Sequence, residues 1–324
     1  MAYPVKKNKK RSKRRTKMME PAVTSLFYEM PVGTSRYIDI AADLSRLNRK
    51  LYAQGMQYVV AGITVTDDVG VTSALDVQIR TAGNTWVTHN AWMKGCALWH
   101  QMQEEVLADN PSVKGKWHDY KVFLTEDQSS SITIPARDGA AGIWPAGAEW
   151  QTSFYVLPQH DVDAAGLPLA AEQWTACLVG PDDVANKRFS LVKAYEESRA
   201  TVQDLAPNVP VALPNSFYLK LTDDGSQDPE LAAIIIDEND QPPYPNGAGE
   251  YPGGSAFTFG GALTTVARGV KNDFTPTMTL PGFTAECGLM YVSATRSAGA
   301  ENCRLQVHLV PGNYRGVMAV PMGQ

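Results

Sequence analysis

GMQYVVAGITVTDD, residues 55–68, reads as a β-strand. Val59, Val60, Ile63, Thr64 and Val65 are β-branched, and their stiff side chains suit a pleated ladder better than a helix. Asp67-Asp68-Val69-Gly70 ends the run with turn residues. The next segment, SALDVQIRT (73–81), alternates strictly. Leu75, Val77 and Ile79 fall on one face, and Asp76, Gln78 and Arg80 on the other. A period of two with one polar face marks a strand buried on a single side, the building unit of a β-sandwich.

Working outward, further strands are expected at 117–125 (WHDYKVFLT), 131–135, 149–157, 173–180 and 187–193. Others are expected at 216–222, 231–237, 256–268, 283–295 and 302–310. RSAGAE joins the last two as a hairpin loop, which implies a closing antiparallel meander. Residues 21–54 are mixed: RYIDI is strand-like and leads into a short helical turn. One helix is expected, from Thr85 to Leu107, where Trp92, Cys96, Trp99, Met102 or Gln103, and Val106 recur every three to four residues. Asn84 is its expected cap, and Asp109-Asn110-Pro111 its stop. SLVKAYEESRATVQ (190–203) fits helix or strand. Residues 237–256 carry too much Pro and Gly for either element. Strands dominate and do not alternate with helices, so the fold class is all-β, a sandwich or jelly roll with long loops and one inserted helix.

The charges divide sharply. Lys6, Lys7, Lys9, Lys10, Arg11, Lys13, Arg14, Arg15 and Lys17 form an arm with no acid before Glu20. Taking these nine from the 29 bases of the chain leaves 20 against 34 acids, so residues 18–324 carry a net −14. Residues 1–20 have little to bury and repel themselves, so a disordered arm is expected, followed by a body over 21–324 whose length suits one large all-β domain or two smaller ones. Such an arm binds polyanions, serves as a nuclear-import signal, or does both. Met18-Met19-Glu20-Pro21 follows in place of an apolar stretch, so no signal peptide is expected. The longest aliphatic run, Leu231 to Ile236, is too short for a bilayer, so no membrane partner is expected.

Chemistry-bearing patterns are sparse. Cys96, Cys177, Cys287 and Cys303 are scattered and read as free thiols. His100 and Glu104 are spaced for one helix face but bring no further metal ligand. Neither a nucleophile elbow, HExxH nor a phosphate loop occurs, so no catalytic set and no enzyme is expected. Two acid groups, Asp223, Asp224 and Asp228, and Asp237, Glu238 and Asp240, are either solvated turn residues or ligands of a structural Ca²⁺. No recognition module pairs the basic charge with aromatic residues, so phosphate neutralisation without base readout is expected.

KKNKKRSKRRTK (6–17) on a β-rich chain resembles the capsid proteins of small icosahedral viruses. LNRKLYAQGMQYVVAGITV (47–65), AIIIDENDQPPYP (233–245) and EYPGG (250–254) are similar to capsid proteins of circular, Rep-encoding single-stranded DNA viruses. The resemblance implies one eight-stranded jelly roll, icosahedral self-assembly, and an interior arm whose nine bases contact a packaged single-stranded DNA genome. It also implies location in the virion, passage through the host nucleus with import factors, and a surface open to a host receptor or glycan. The length beyond a minimal jelly roll then belongs to loops, the 85–107 helix or a projection. Two other classes fit the composition: a non-assembling nucleoprotein, and a carbohydrate-binding β-sandwich or hydrolase using Trp86, Trp144 or Trp150 as a sugar platform.

Overall fold

The computed structural model describes residues 20–67, 73–114, 119–128, 133–138, 142–143, 150–157, 171–200, 262–272, 274–299 and 302–323. The nine arm bases, both acid groups and the expected strands at 216–222 and 231–237 lie outside the described residues. Among the described residues strand outweighs helix, 43% against 22%, in curled antiparallel sheets, so the fold is a mainly β sandwich.

The quoted stretch forms the central strand β3 (Met56–Asp67). It lies in one sheet with β1 (Ser25–Met30), β12 (Cys303–Leu309), and β9 (Thr277–Leu280) followed by β10 (Phe283–Ala285). The second sheet holds β2 (Thr34–Asp39), β11 (Leu289–Arg296), β4 (Leu75–Thr81) and β8 (Thr264–Lys271), in that order. The antiparallel pairs nest: β1 with β12, β2 with β11, β3 with β9 and β10, and β4 with β8. Inward side chains, among them Leu26, Tyr28, Val60, Ile79, Val292 and Leu305, fill the core between the sheets. Leu75, Val77 and Ile79 point inward as their alternation predicts.

β3 departs from simple alternation for a physical reason. Its inward residues are Tyr58 and Val60, then Ile63 and Val65, so the phase flips at Ala61-Gly62. The ladder with β12 skips there: His308 faces Gly62 and Leu309 faces Val60, which leaves Ala61 as an extra bulged residue. The neighbouring Gly282 lies so close that a Cβ would sit 2.7 Å from the carbonyl oxygens of Val60 and Ala61.

Several expectations need correction. The expected single strand 283–295 is β10 and β11, separated by a tight turn at Glu286–Gly288 with Cys287 at φ 55° and Gly288 at φ 65°. A run of apolar residues does not reveal such a corner; the left-handed pair carries the chain from one sheet to the other. β11 and β12 therefore belong to different sheets, and RSAGAE is a crossover between them, not a hairpin. The described residues contain three α-helices instead of one: α1 (Ile40–Asn48), α2 (Trp86–Asp109) and α3 (Leu191–Ala200). α3 resolves the open segment 190–203. Thr85, not Asn84, caps α2, its Oγ1 accepting from the Thr88 N–H at 3.2 Å. Among the described residues of the expected strands at 117–125 and 131–135, pairing is limited to single bridges at Phe123 and Thr133.

Between β4 and β8 the chain inserts residues 82–263. Its described part includes α2, α3 and a small sheet of β5 (Phe154–Leu157), β6 (Glu172–Cys177) and β7 (Arg188–Ser190). Trp99, Tyr155, Trp174 and Phe189 from this insertion pack with Tyr37, Leu289 and Tyr291 of the second sheet, forming a second core. The C-terminal strand β15 (Ala319–Pro321) extends the first sheet along β3, and β13 (Pro311–Gly312) with β14 (Gly316–Val317) forms a small hairpin.

One end of the sandwich is closed by charge. Asp67 of β3 meets Lys271 of β8 at 3.1 Å and Arg296 of β11 at 2.6 Å, with all three side chains almost fully buried. This triad joins the two sheets, and removing its one carboxylate strands two cations in the interior. Asp67→Ala is expected to destabilise the fold by about 3–5 kcal/mol. That would be read as a lower urea midpoint with an unchanged slope. Arg268→Ala, which breaks the exposed Arg268–Asp76 pair, is expected to leave the midpoint in place.

Candidate nucleic-acid interface

The body begins where the arm joins it. Lys50 Nζ donates to Glu20 Oε2 at 3.3 Å and to the Pro21 carbonyl at 3.2 Å. Asn48 accepts from the Val23 N–H at 2.8 Å and donates back to the Val23 carbonyl at 3.1 Å. On the other side the chain runs against Gly316, at φ 99°, where a Cβ would strike the Glu20 carbonyl oxygen at 2.6 Å. The chain from Glu20 to Val23, the root of the arm, thus lies against Asn48 and Lys50 at the end of α1 and against Gly316 of the β13–β14 hairpin.

α1 extends from this root to a cleft of about 660 Å³. Asp39 caps the helix, its Oδ1 accepting from the Ala42 N–H at 3.0 Å. Its other oxygen accepts from Gln54 Nε2 at 3.1 Å and Trp150 Nε1 at 2.9 Å. One turn on, Asp43 accepts from Tyr28 Oη at 2.8 Å and Arg46 at 3.0 Å. Burial raises both carboxyls above the usual range. Asp43 is pushed up to about 7, with Arg46 and Tyr28 opposing the shift. Asp39 is raised by burial against the bonds from Ala42, Trp150 and Gln54.

The insertion supplies the opposite wall. Arg188 of β7 donates to the Glu126 carbonyl, and its guanidinium lies 5.3 Å from the centre of the Phe123 ring. Lys121 Nζ lies 5.2 Å from the Trp150 ring. Phe154 and Ile143 line the cleft and are 47% and 55% exposed, an apolar rim around a polar floor. A cleft of this size and mixed lining, with shifted carboxyls at its base, is where a ligand site is sought first.

Of the other candidate residues described, only Trp150 joins this site. Trp86 packs edge-on against Tyr195 of α3 at 6.3 Å, and Trp150, bonded to Asp39, lines the cleft; both are half-buried. Trp144 lies outside the described residues. His100 and Glu104 are exposed on α2, and among the described residues no three His, Cys, Asp or Glu side chains gather as a metal site. Cys177, Cys287 and Cys303 are buried free thiols, and Cys96 is a half-buried one. Among the described residues no helix is long and apolar enough to cross a membrane. No protein-family model, curated protein or solved structure matches the chain.

Sequence reasoning did not single out Asp39, Asp43, Arg46, Phe123 or Arg188. The local signal for the first two was Asp39 ahead of Ile40-Ala41-Ala42, an N-cap pattern. The others are brought together only by the fold.

Asp43 is protonated in the folded protein at pH values where it is ionised in the unfolded chain. The unfolded state therefore binds fewer protons between about pH 4 and 7, and stability falls as pH rises through that window. Asp43→Asn is expected to remove this contribution, up to about 1.4 kcal/mol per pH unit. Urea midpoints at pH 5, 6 and 7 would then decline less in the variant than in the parent.

Proposed function

We propose that the protein is the coat protein of a small icosahedral particle of the kind formed by circular, Rep-encoding single-stranded DNA viruses. Its body is a jelly-roll tile that meets copies of itself, and its arm neutralises the packaged genome. The observation that carries this reading is the order of strand pairing. Number the sandwich strands from one to eight along the chain, counting β9 and β10 together. The pairs are then one with eight, two with seven, three with six, and four with five. One sheet runs 1-8-3-6 and the other 2-7-4-5. A long hairpin rolled into a sandwich produces this order, the double Greek key of jelly rolls in viral coats, lectins and cupins.

Fold alone does not choose among those functions. The charge partition favours the coat protein: nine bases precede a body of net −14. Many such arms in one cavity condense a polyanion by counterion release, while the acidic bodies resist nonspecific binding outside. The same arm serves nuclear import during assembly, and the outward loops serve a host receptor or glycan.

The purified chain is expected to sediment as closed particles that protect nucleic acid from nuclease. Deletion of residues 1–19, before the Glu20 anchor, is expected to leave shells depleted of nucleic acid. Discrete monomers at every salt and protein concentration, or full cargo without the arm, would overturn the reading.

A further inference from the structure

We propose that the cleft beside α1 holds one nucleotide of a single strand, its base against the aromatic rim and its phosphate on Arg46 and Arg188. The proposal rests on the reading that the arm binds nucleic acid, and it assigns a second contact on the body.

Three observations lead to it. First, the acids in the floor already have partners. Asp39 accepts from Ala42, Gln54 and Trp150, and Asp43 from Tyr28 and Arg46. They hold the wall in place. Second, the cations have donors to spare. A guanidinium carries five N–H groups. Arg46 directs NH1 to Asp43, and Arg188 directs NH1 to a carbonyl while its plane lies over Phe123. Acceptor-rich anions suit these groups, and flat unsaturated rings suit the rim of Phe123 and the 47%-exposed Phe154. Third, Arg46 lies in the last turn of α1, and Lys50, two residues past the end of that helix, holds the root of the arm. Nineteen residues span at most about 65 Å when extended. A strand gripped by the arm can therefore pass the mouth of the cleft. The arm itself is a poor occupant, because it would bring nine like charges to Arg46, Lys121 and Arg188.

The chemistry selects single strands. A base within a duplex must leave its stack to enter a pocket, at a cost a single strand does not carry. The site thus adds a stacking contact to an arm that reads only phosphates.

The test uses the intact chain and a single-stranded oligonucleotide carrying 5-iododeoxyuridine. Photocrosslinks are expected on peptides containing Phe123, Trp150 or Phe154; crosslinks confined to residues 1–19 or to other surfaces overturn the proposal. Phe154→Ser is expected to weaken single-strand binding about tenfold. It should leave duplex binding and the circular dichroism spectrum unchanged. Arg188→Gln is expected to reduce the slope of log affinity against log salt by about 0.7 for single strands. If both variants bind like the parent, or lose only binding to an acidic oligosaccharide, the cleft is not a nucleotide site although the arm reading stands. If the intact parent binds no nucleic acid, both readings fall.

Discussion

Everything in the sandwich is referred to β3. It is hydrogen-bonded along both edges, to β12 and β15 on one side and to β9 and β10 on the other. A strand shared this way must keep two registers at once. The bulge at Ala61-Gly62 lets it do so, because one extra residue returns the apolar set to the core after the phase has slipped. Its far end carries Asp67, whose carboxylate binds cations from two strands of the opposite sheet. The central ladder and the inter-sheet clamp therefore belong to one twelve-residue element.

α1 links the sandwich to the functional surfaces. Its first turn is buried against the core through Ile40, Ala41 and Leu44, and Asp39 satisfies its first orphan N–H. Its last residue, Asn48, and Lys50 just past its end anchor the arm root. Tyr28 of β1 reaches Asp43, so the strand that follows the root runs back along the helix. A partly buried, N-capped helix connects the cleft to the chain from Glu20 to Val23. The insertion completes this arrangement from the opposite side, and its own core rests on Tyr37, Leu289 and Tyr291 of the second sheet.

Legibility followed the range of the forces involved. β4 was readable because Leu75, Val77 and Ile79 alternate within one strand, and β12 because its expected span needed only a one-residue trim at each end. α2 was readable from its apolar repeat and its Asp-Asn-Pro stop. The run from Phe283 to Thr295 was not, because strand-forming residues flank its one glycine on both sides, while the corner is set by left-handed Cys287 and Gly288, the latter close against Tyr58. α1 was only half visible: its cap is local, but its apolar face is defined by the strands that bury it. The candidate cleft was invisible. Asp43 and Arg46 come from one helix, and Phe123, Phe154 and Arg188 from three separate segments of the insertion.

By itself, the sequence determined the partition of charge, the strand-rich class and the two clearest strands, since composition and short periodicities need no partner. Only the fold sets cations of the body against rings, Arg188 over Phe123 and Lys121 near Trp150. Only the tertiary structure decided which strands pair, where the chain changes sheets, and which side chains share a cleft. Pairing depends on hydrogen bonds between segments as far apart as Ser25 and His308. No local pattern encodes contacts whose free energy appears only when the whole core closes.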